Sequence, residues 1–372
     1  MSVQNRANSV VGIAESLSTV AIRNEPPEGL MGFTRCMLGS YDIHWSVMGQ
    51  LSLDALRWYS LTCKAIYDEV QAYYHRNYSL NPILEPFIPS RYIPAFRRLQ
   101  KENGLIISGS AALQFFTRVT YPESDLDLYV EYARALEIGK WLESEVGCTA
   151  LNHQGEAHPF YRTFSRYVTS DFNSGRLPSL EPCYTTLPGN RGSAAPADPA
   201  HSGVDVAEDY SFKGMRAVVS FLSPVSSRKI QLIICRRNIM EVISGFHSTV
   251  VMNLITASYA YSLYGEETLE KKLALPVDIG RSALGNLEAA RAKYVDRGWT
   301  MVPSQAEALR LKAFEGWAAR HVGDSKCWIV RLPQVEGTDV FKKTDPLRRN
   351  EWALGYKFGV PKMMLQLSYW SG

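Results

Sequence analysis

Two carboxylates set two residues apart, Asp125 and Asp127, follow the small-residue turn Ser108-Gly109-Ser110, and this grouping is where the chain is best equipped for chemistry. Strict alternation in Asp125-Leu126-Asp127-Leu128 predicts a half-buried strand. Leu126 and Leu128 then turn to the core, and the two aspartates share the other face, roughly 6.5 Å apart. At an effective dielectric of about 20 that spacing implies a repulsion of about 2.5 kcal/mol, in a residue type that is already a poor strand former. A divalent cation offsets the repulsion. Mg²⁺, or Mn²⁺, takes oxygen ligands, retains waters and accepts substrate phosphates.

The elements needed to present such a pair are also legible. Leu105-Ile106-Ile107, behind Asn103-Gly104, reads as a buried strand, and Ala111 to Arg118 as a helix beginning at about Ser110 with that hydroxyl near the N-cap. Unused N–H groups at such a helix start favour phosphate by about 0.3–1 kcal/mol. Gly109 carries no side chain to block the approach. Taken singly, the same pieces describe a tight turn and the wet face of a strand, where water screens the repulsion to below about 1 kcal/mol; their order and spacing point to a nucleotide-handling site.

Gly109-Ser110 followed by Asp125-Leu126-Asp127-Leu128 resembles the motif of the nucleotidyltransferase-fold superfamily, the polymerase-beta-like group, and especially its minimal members related to abortive-infection toxins. The resemblance implies an α/β (α+β) domain over residues 90–265, a mixed sheet flanked by helices. It implies a nucleoside triphosphate held at Gly109 and Ser110, Mg²⁺ (or Mn²⁺) on Asp125 and Asp127, and transfer of a nucleotide to a hydroxyl on RNA or protein. The family's third carboxylate sits on a later strand. Here Ser211 to Leu222 and Arg228 to Cys235 read as a hairpin, in whose second arm Lys229, Gln231 and Ile233 share a face. The position resembling the third carboxylate is therefore Gln231, which offers a carbonyl oxygen but cannot serve as a general base. Three outcomes stay open: another acid such as Asp205, Glu208 or Asp209 folds in, the site binds a nucleotide without transferring it, or the fold survives as a scaffold. Arg228 and Lys229, which begin this arm, are the basic residues best placed for a substrate phosphate.

A second segment, residues 41–81, is helical. Leu56, Tyr59, Cys63, Ile66, Val70 and Tyr73 recur at steps of three and four, and Ser52 or Asp54 can cap the start. Leu51-Ser52-Leu53-Asp54-Ala55-Leu56 with Leu61-Thr62-Cys63-Lys64-Ala65-Ile66-Tyr67 resembles the second half of an F-box, which implies docking on a Skp-type adaptor of a ubiquitin ligase. The upstream half departs from that pattern, with Ile43 to Met48 in place of a Leu-Pro start. Helices that simply pack on the neighbouring domain fit the same stripe. The joint arrangement is similar to fungal proteins that combine the two modules. An adaptor whose degenerate nucleotidyltransferase-like fold only binds substrate is thus the alternative to a transferase.

The remaining sequence is read more coarsely. Residues 1–40 are expected to form a mobile tail, Pro82 to Pro89 a linker, 171–209 a mobile insertion rich in Pro, Gly and Ser, and 266–372 a C-terminal helical and β region. Ala133 to Val146 predicts a helix. Ile243 to Tyr264, apolar around its circumference, predicts a helix buried on several sides. Further helices are expected at 281–296 and 304–321, and strands at 327–330, 351–356 and 363–370. With 372 residues, 8 Trp, 20 Tyr and 14 Phe, the chain can bury a substantial core. A net charge of +3 argues against nucleic-acid binding by bulk electrostatics. Six scattered cysteines show no metal-binding or disulfide spacing, and no run of about 18 apolar residues marks a membrane span. A reduced protein of the cytoplasm or nucleus, with no membrane partner, is expected.

Overall fold

The computed structural model describes residues 40–152, 154–165, 214–277, 284–314, 319–335, 345–357 and 360–366. Residues 1–39 of the expected tail, the expected insertion at 171–209, and with it Asp205, Glu208 and Asp209, lie outside the described residues. The chain forms two compact units, Met1–Arg76 and Asn77–Gly372.

The first unit is helical where described. Its helices α1 (Tyr41–Gln50), α2 (Leu53–Ser60) and α3 (Lys64–Asn77) replace a single long amphipathic stretch, because the chain turns at Leu61–Cys63. Ser52 caps α2 as expected, its hydroxyl accepting the Ala55 N–H at 3.1 Å. Leu56, Ile66, Val70 and Tyr73 are buried, as their spacing predicted, whereas Ile43, Trp58, Leu61 and Tyr67 remain exposed. His44 Nε2 and the Tyr59 hydroxyl, 3.0 Å apart, tie α1 to α2.

The second unit is built on a large mixed sheet flanked by helices. Its elements run α4 (Asn81–Leu84), α5 (Ile93–Asn103), β1 (Ile106–Ser108), α6 (Gly109–Thr117), β2 (Leu126–Glu131), α7 (Tyr132–Trp141) and β3 (Thr149–Leu151). After residue 213 come β4 (Met215–Leu222), β5 (Lys229–Cys235), α8 (Ile239–Ile243), β6 (Asn253–Ile255), β7 (Tyr259–Ser262), β8 (Leu273–Ala274) and α9 (Leu284–Asp296). The C-terminal part adds β9 (Thr300–Met301), α10 (Gln305–Arg310), β10 (Ala319–His321), β11 (Trp328–Arg331), β12 (Glu351–Lys357) and β13 (Val360–Gln366). Eight strands make one sheet in the order β11-β7-β6-β1-β2-β5-β4-β3, while β10-β12-β13 and β8-β9 form smaller ones. Within the large sheet the β2–β5 pair is parallel and the other pairs are antiparallel.

Alternation sets the two faces at the centre of this sheet. Leu126 and Leu128 on β2 are buried beside Ile230 and Leu232 on β5, their register partners. On the opposite face, Tyr129 and Ile233 join Ile106, Phe246, Leu254, Tyr261 and Trp352 in one continuous apolar cluster. Fully burying aromatic and aliphatic side chains of this size stabilises by about 1.5–3 kcal/mol each, so this face anchors the strands that carry the aspartates.

Several sequence expectations are corrected. The buried helix expected over Ile243 to Tyr264 is instead the end of α8, a turn of 3-10 helix at Thr249–Val251 and the β6–β7 hairpin, which lies inside the large sheet between β11 and β1. Leu254, Ile255, Ala260 and Tyr261 are buried on both sides as sheet residues. A strand covered on both faces is continuously apolar, so periodicity does not tell it from a buried helix. The β-branched and aromatic content, Ile255, Tyr259 and Tyr261 among it, favours the strand. The Pro82–Pro89 segment is no linker. Pro82 lies in the first turn of α4, where a missing N–H costs nothing, and Leu84, Phe87 and Ile88 are buried. Ser223 and Ser226, in the β4–β5 loop, donate to Phe87 O at 2.8 Å and Pro86 O at 2.7 Å. The helix expected at 304–321 stops at Arg310, and residues 319–321 form β10. Trp328–Arg331 extends the large sheet at its edge, whereas β12 and β13 pair with each other and β12 with β10. No helix among the described residues is long and apolar enough to cross a membrane.

Candidate functional site

The end of β1, the start of α6 and the start of β2 meet at one place. Antiparallel pairing sets Ser108 opposite Asp127, and the chain enters α6 immediately after Ser108. Gly109 occupies the left-handed region, with φ of 65°. A Cβ added there would lie 2.2 Å from Asp127 Oδ2, so a side chain is excluded by strain and by collision together. The Asp127 carboxylate is thus packed directly against the backbone that opens α6.

The helix start differs in one respect from the sequence expectation. Ser108, not Ser110, is the N-cap, and it makes no side-chain cap. Its hydroxyl donates instead to Asn253 O on β6, at 2.6 Å. The first N–H groups of α6 are therefore left to the site, next to the aspartates, with the positive end of the helix dipole behind them. Ser110 is buried within the first turn.

Asp125 and Asp127 project from the same side of β2, flanking buried Leu126. Burial raises the pKa of Asp125, against the opposing effects of Lys229, Lys293 and Arg228 and of a hydrogen bond from the Lys229 backbone N–H. Asp127 is pushed up to about 7, first by burial and then by the charge of Asp125, with Lys293 opposing. Each carboxylate therefore resists ionisation in the absence of a cation.

Gln231 lies where the third acid was sought. Parallel pairing of β2 with β5 places it beside Asp127, and its amide Nε2 donates to Asp125 Oδ2 at 3.3 Å. The carboxamide is thus within reach of the pair, a neutral donor where a third charge was sought. Lys229 opens the same strand and faces Asp125 through its backbone and its charge.

Arg228, expected near a substrate phosphate, is engaged within the chain. Its Nε and Nη2 donate to Ser124 O at 3.1 and 2.7 Å, and its guanidinium lies 4.3 Å from the centre of the Phe87 ring. It fastens the turn that precedes Asp125 and so positions the acid pair.

Residues beyond the sequence motif also converge here. Helix α9 carries Lys293, whose charge acts on both aspartates, and Tyr294, which senses Asp127. Arg297, just past the helix, lies 3.8 Å over the Tyr121 ring. These residues were missed because Lys293 and Arg297, four residues apart at the end of α9 and just beyond it, lie more than 150 residues downstream of the motif, a pattern indistinguishable from ordinary solvated charges.

Among the described residues, the carboxylates of Asp125 and Asp127 are the charged oxygen donors to a cation here, with the Gln231 carboxamide beside them. That set fits Mg²⁺, which binds proteins through one or two carboxylates and completes its shell with water and phosphate. Among the described residues no group of three or more His, Cys, Asp or Glu is arranged to hold a metal. Compared with protein-family models, curated proteins and solved structures, the chain matches none.

Proposed function

We propose that the second unit is a nucleotidyltransferase-like domain that binds a nucleoside triphosphate with Mg²⁺ or Mn²⁺ and transfers a nucleotide to a hydroxyl on RNA or protein. The observation that carries this reading is the close approach of Asp127 to Gly109, where an added Cβ would lie 2.2 Å from Asp127 Oδ2: the backbone of an uncapped helix start and a paired carboxylate are packed together. Amides that favour an anion and acids that favour a cation serve a metal-bound phosphate better than either ligand alone.

The chain's residues would share the work as follows. Asp125 and Asp127 hold the ion, and the N–H groups around Gly109 and Ser110 hold phosphate oxygens. Lys229 adds positive charge beside Asp125. The bound ion would supply charge stabilisation at the phosphorus. In the transfer an acceptor hydroxyl oxygen bonds to the α-phosphorus as its bond to the bridging oxygen breaks, pyrophosphate leaves, and the hydroxyl proton passes to water. Gln231 cannot take that proton, which predicts slow turnover.

Calorimetry with each nucleoside triphosphate in Mg²⁺ tests the reading on wild type and on Asp127→Asn. Metal-dependent binding lost in the variant is the expected result. Equal, metal-independent binding by both proteins rules out the metal site.

A second reading, a binding protein that recruits substrates through a Skp-type adaptor, draws support from Gln231 and from the exposed Trp58 and Leu61, at 63 and 66 % accessibility. Pull-down of a Skp adaptor by wild type but not by Trp58→Asp or Leu61→Asp is expected on that reading. Leu56 is fully buried, so a charge there would report folding and not docking. Either reading goes with a protein of the cytoplasm or nucleus.

A further inference from the structure

Asp125 and Asp127 are held to the sheet unequally. Asp127 lies inside β2, paired with Ser108 on β1 and with Gln231 on β5. Asp125 stands one residue before β2 begins, ahead of the register of both neighbours. Gln231 and the Lys229 backbone N–H reach its carboxylate, but the chain that delivers it is the loop leaving α6, in which Arg118, Val119 and Thr120 are exposed. A backbone without ladder bonds takes its place from whatever else satisfies its N–H and C=O groups.

That support is a turn gripped from two elements. The Ser124 N–H donates to Tyr121 O at 3.0 Å and closes the turn directly ahead of Asp125. Arg228, just before β5, donates to Tyr121 O and Ser124 O at 3.4 and 2.7 Å. From α6, the Gln114 Oε1 accepts the Tyr121 N–H at 2.8 Å. The Gln114 Nε2 donates to Ser110 O at 3.3 Å, which orients the carboxamide with its oxygen toward the turn. One half-buried side chain therefore spans from the first turn of α6 to the turn that carries Asp125.

Resting on the metal-nucleotide reading above, we propose that Gln114 is a positioning residue of the cation site: through the Tyr121–Ser124 turn it fixes Asp125 relative to Asp127. An ion of the Mg²⁺ kind demands near-ideal octahedral geometry, so displacement of one ligand while the other stays in its ladder weakens the site. Asp127 keeps its place without Gln114, because β1 and β5 hold it.

Mn²⁺ alone probes this, its free concentration read by electron paramagnetic resonance on the full chain. Wild type is compared with Gln114→Met, Gln114→Glu and Asp127→Asn, with thermal melts confirming that each folds and hydrogen exchange followed over residues 118–125. Gln114→Met is expected to weaken Mn²⁺ about fivefold, the equivalent of one neutral hydrogen bond, and to quicken exchange in that segment. Gln114→Glu keeps an acceptor for the Tyr121 N–H and should hold Mn²⁺ as wild type does in about 0.5 M salt, which screens the added charge. A Gln114 that merely stabilises the fold would lower the melting point and leave Mn²⁺ affinity alone, which overturns the proposal. If Asp127→Asn abolishes Mn²⁺ binding and Gln114→Met does not move it, the positioning role is overturned and the metal site stands. If wild type binds no Mn²⁺ while exchange over 118–125 quickens in Gln114→Met and not in Gln114→Glu, the support of Asp125 stands and the metal-nucleotide reading fails. No binding and no change in exchange overturn both.

Discussion

Asp127 concentrates the energetic cost of the site in one side chain. Its pKa of about 7 lies above the ordinary carboxylate value because burial and Asp125 both oppose the charge. A group whose pKa is raised by folding contributes fully below its unfolded value, about pH 4, and that contribution is lost as pH rises through the folded value. The metal-free protein should therefore lose stability between about pH 4 and 7, in a window that matches the Asp127 shift. Scanning calorimetry across that range should show a falling midpoint, with Mg²⁺ recovering much of it at the alkaline end. Asp127→Asn should flatten the profile, and a variant that follows the wild-type curve would remove Asp127 as its cause. At Gly109 the effect is steric: Gly109→Ala meets Asp127 Oδ2 and a left-handed φ together. It should cost about 1–3 kcal/mol of stability, typical of a strained backbone position, and abolish Mg²⁺-dependent triphosphate binding measured alongside.

Between single residues and the molecule stand the strands that carry the site. Ser108 reaches across to Asn253 O, so the β6–β7 hairpin supports the helix start from the side opposite β2. Ile255, fully buried and paired with Ile107, is the centre of that support. Ile255→Ala should cost about 2–5 kcal/mol by denaturant unfolding. Hydrogen exchange separates the observed hairpin from the helix that apolar content alone suggests. Protection close to the global limit is expected at paired Leu254 and Tyr261, with faster exchange through the turn at 256–258; uniform protection from 243 to 264 would contradict the strands. The strands at Ile106–Ser108 and Leu126–Glu131, by contrast, were legible because each is bounded by turn residues and one of them alternates. The same local rules mistook the hairpin, since a strand with apolar layers on both sides has no polar face to reveal its period.

At the scale of the whole molecule, the two compact units divide the proposed roles. The residues of the proposed nucleotide site all lie in Asn77–Gly372, and the exposed apolar side chains of α2 lie in the first unit. Leu56→Ala, at a fully buried position of that first unit, should destabilise it by about 2–5 kcal/mol while triphosphate affinity stays within about twofold. A large loss of nucleotide binding in this variant would show that the units do not divide the labour.

The sequence by itself determined the parts that depend on neighbours along the chain. Alternation put Asp125 and Asp127 on one face, a small turn put Gly109 before a helix, and the hairpin arm put Gln231 on the face that Lys229 shares. Tertiary structure alone decided what surrounds them: the contact of Gly109 with Asp127, the amide of Gln231 on Asp125, and the arrival of Lys293 and Arg297 from a distant helix. Periodicity records which side of an element is apolar, and it carries no information about which remote element packs there. That choice is made by burial of the whole core, which brings Lys293 near enough to act on the charges of Asp125 and Asp127, more than 150 residues away in the sequence.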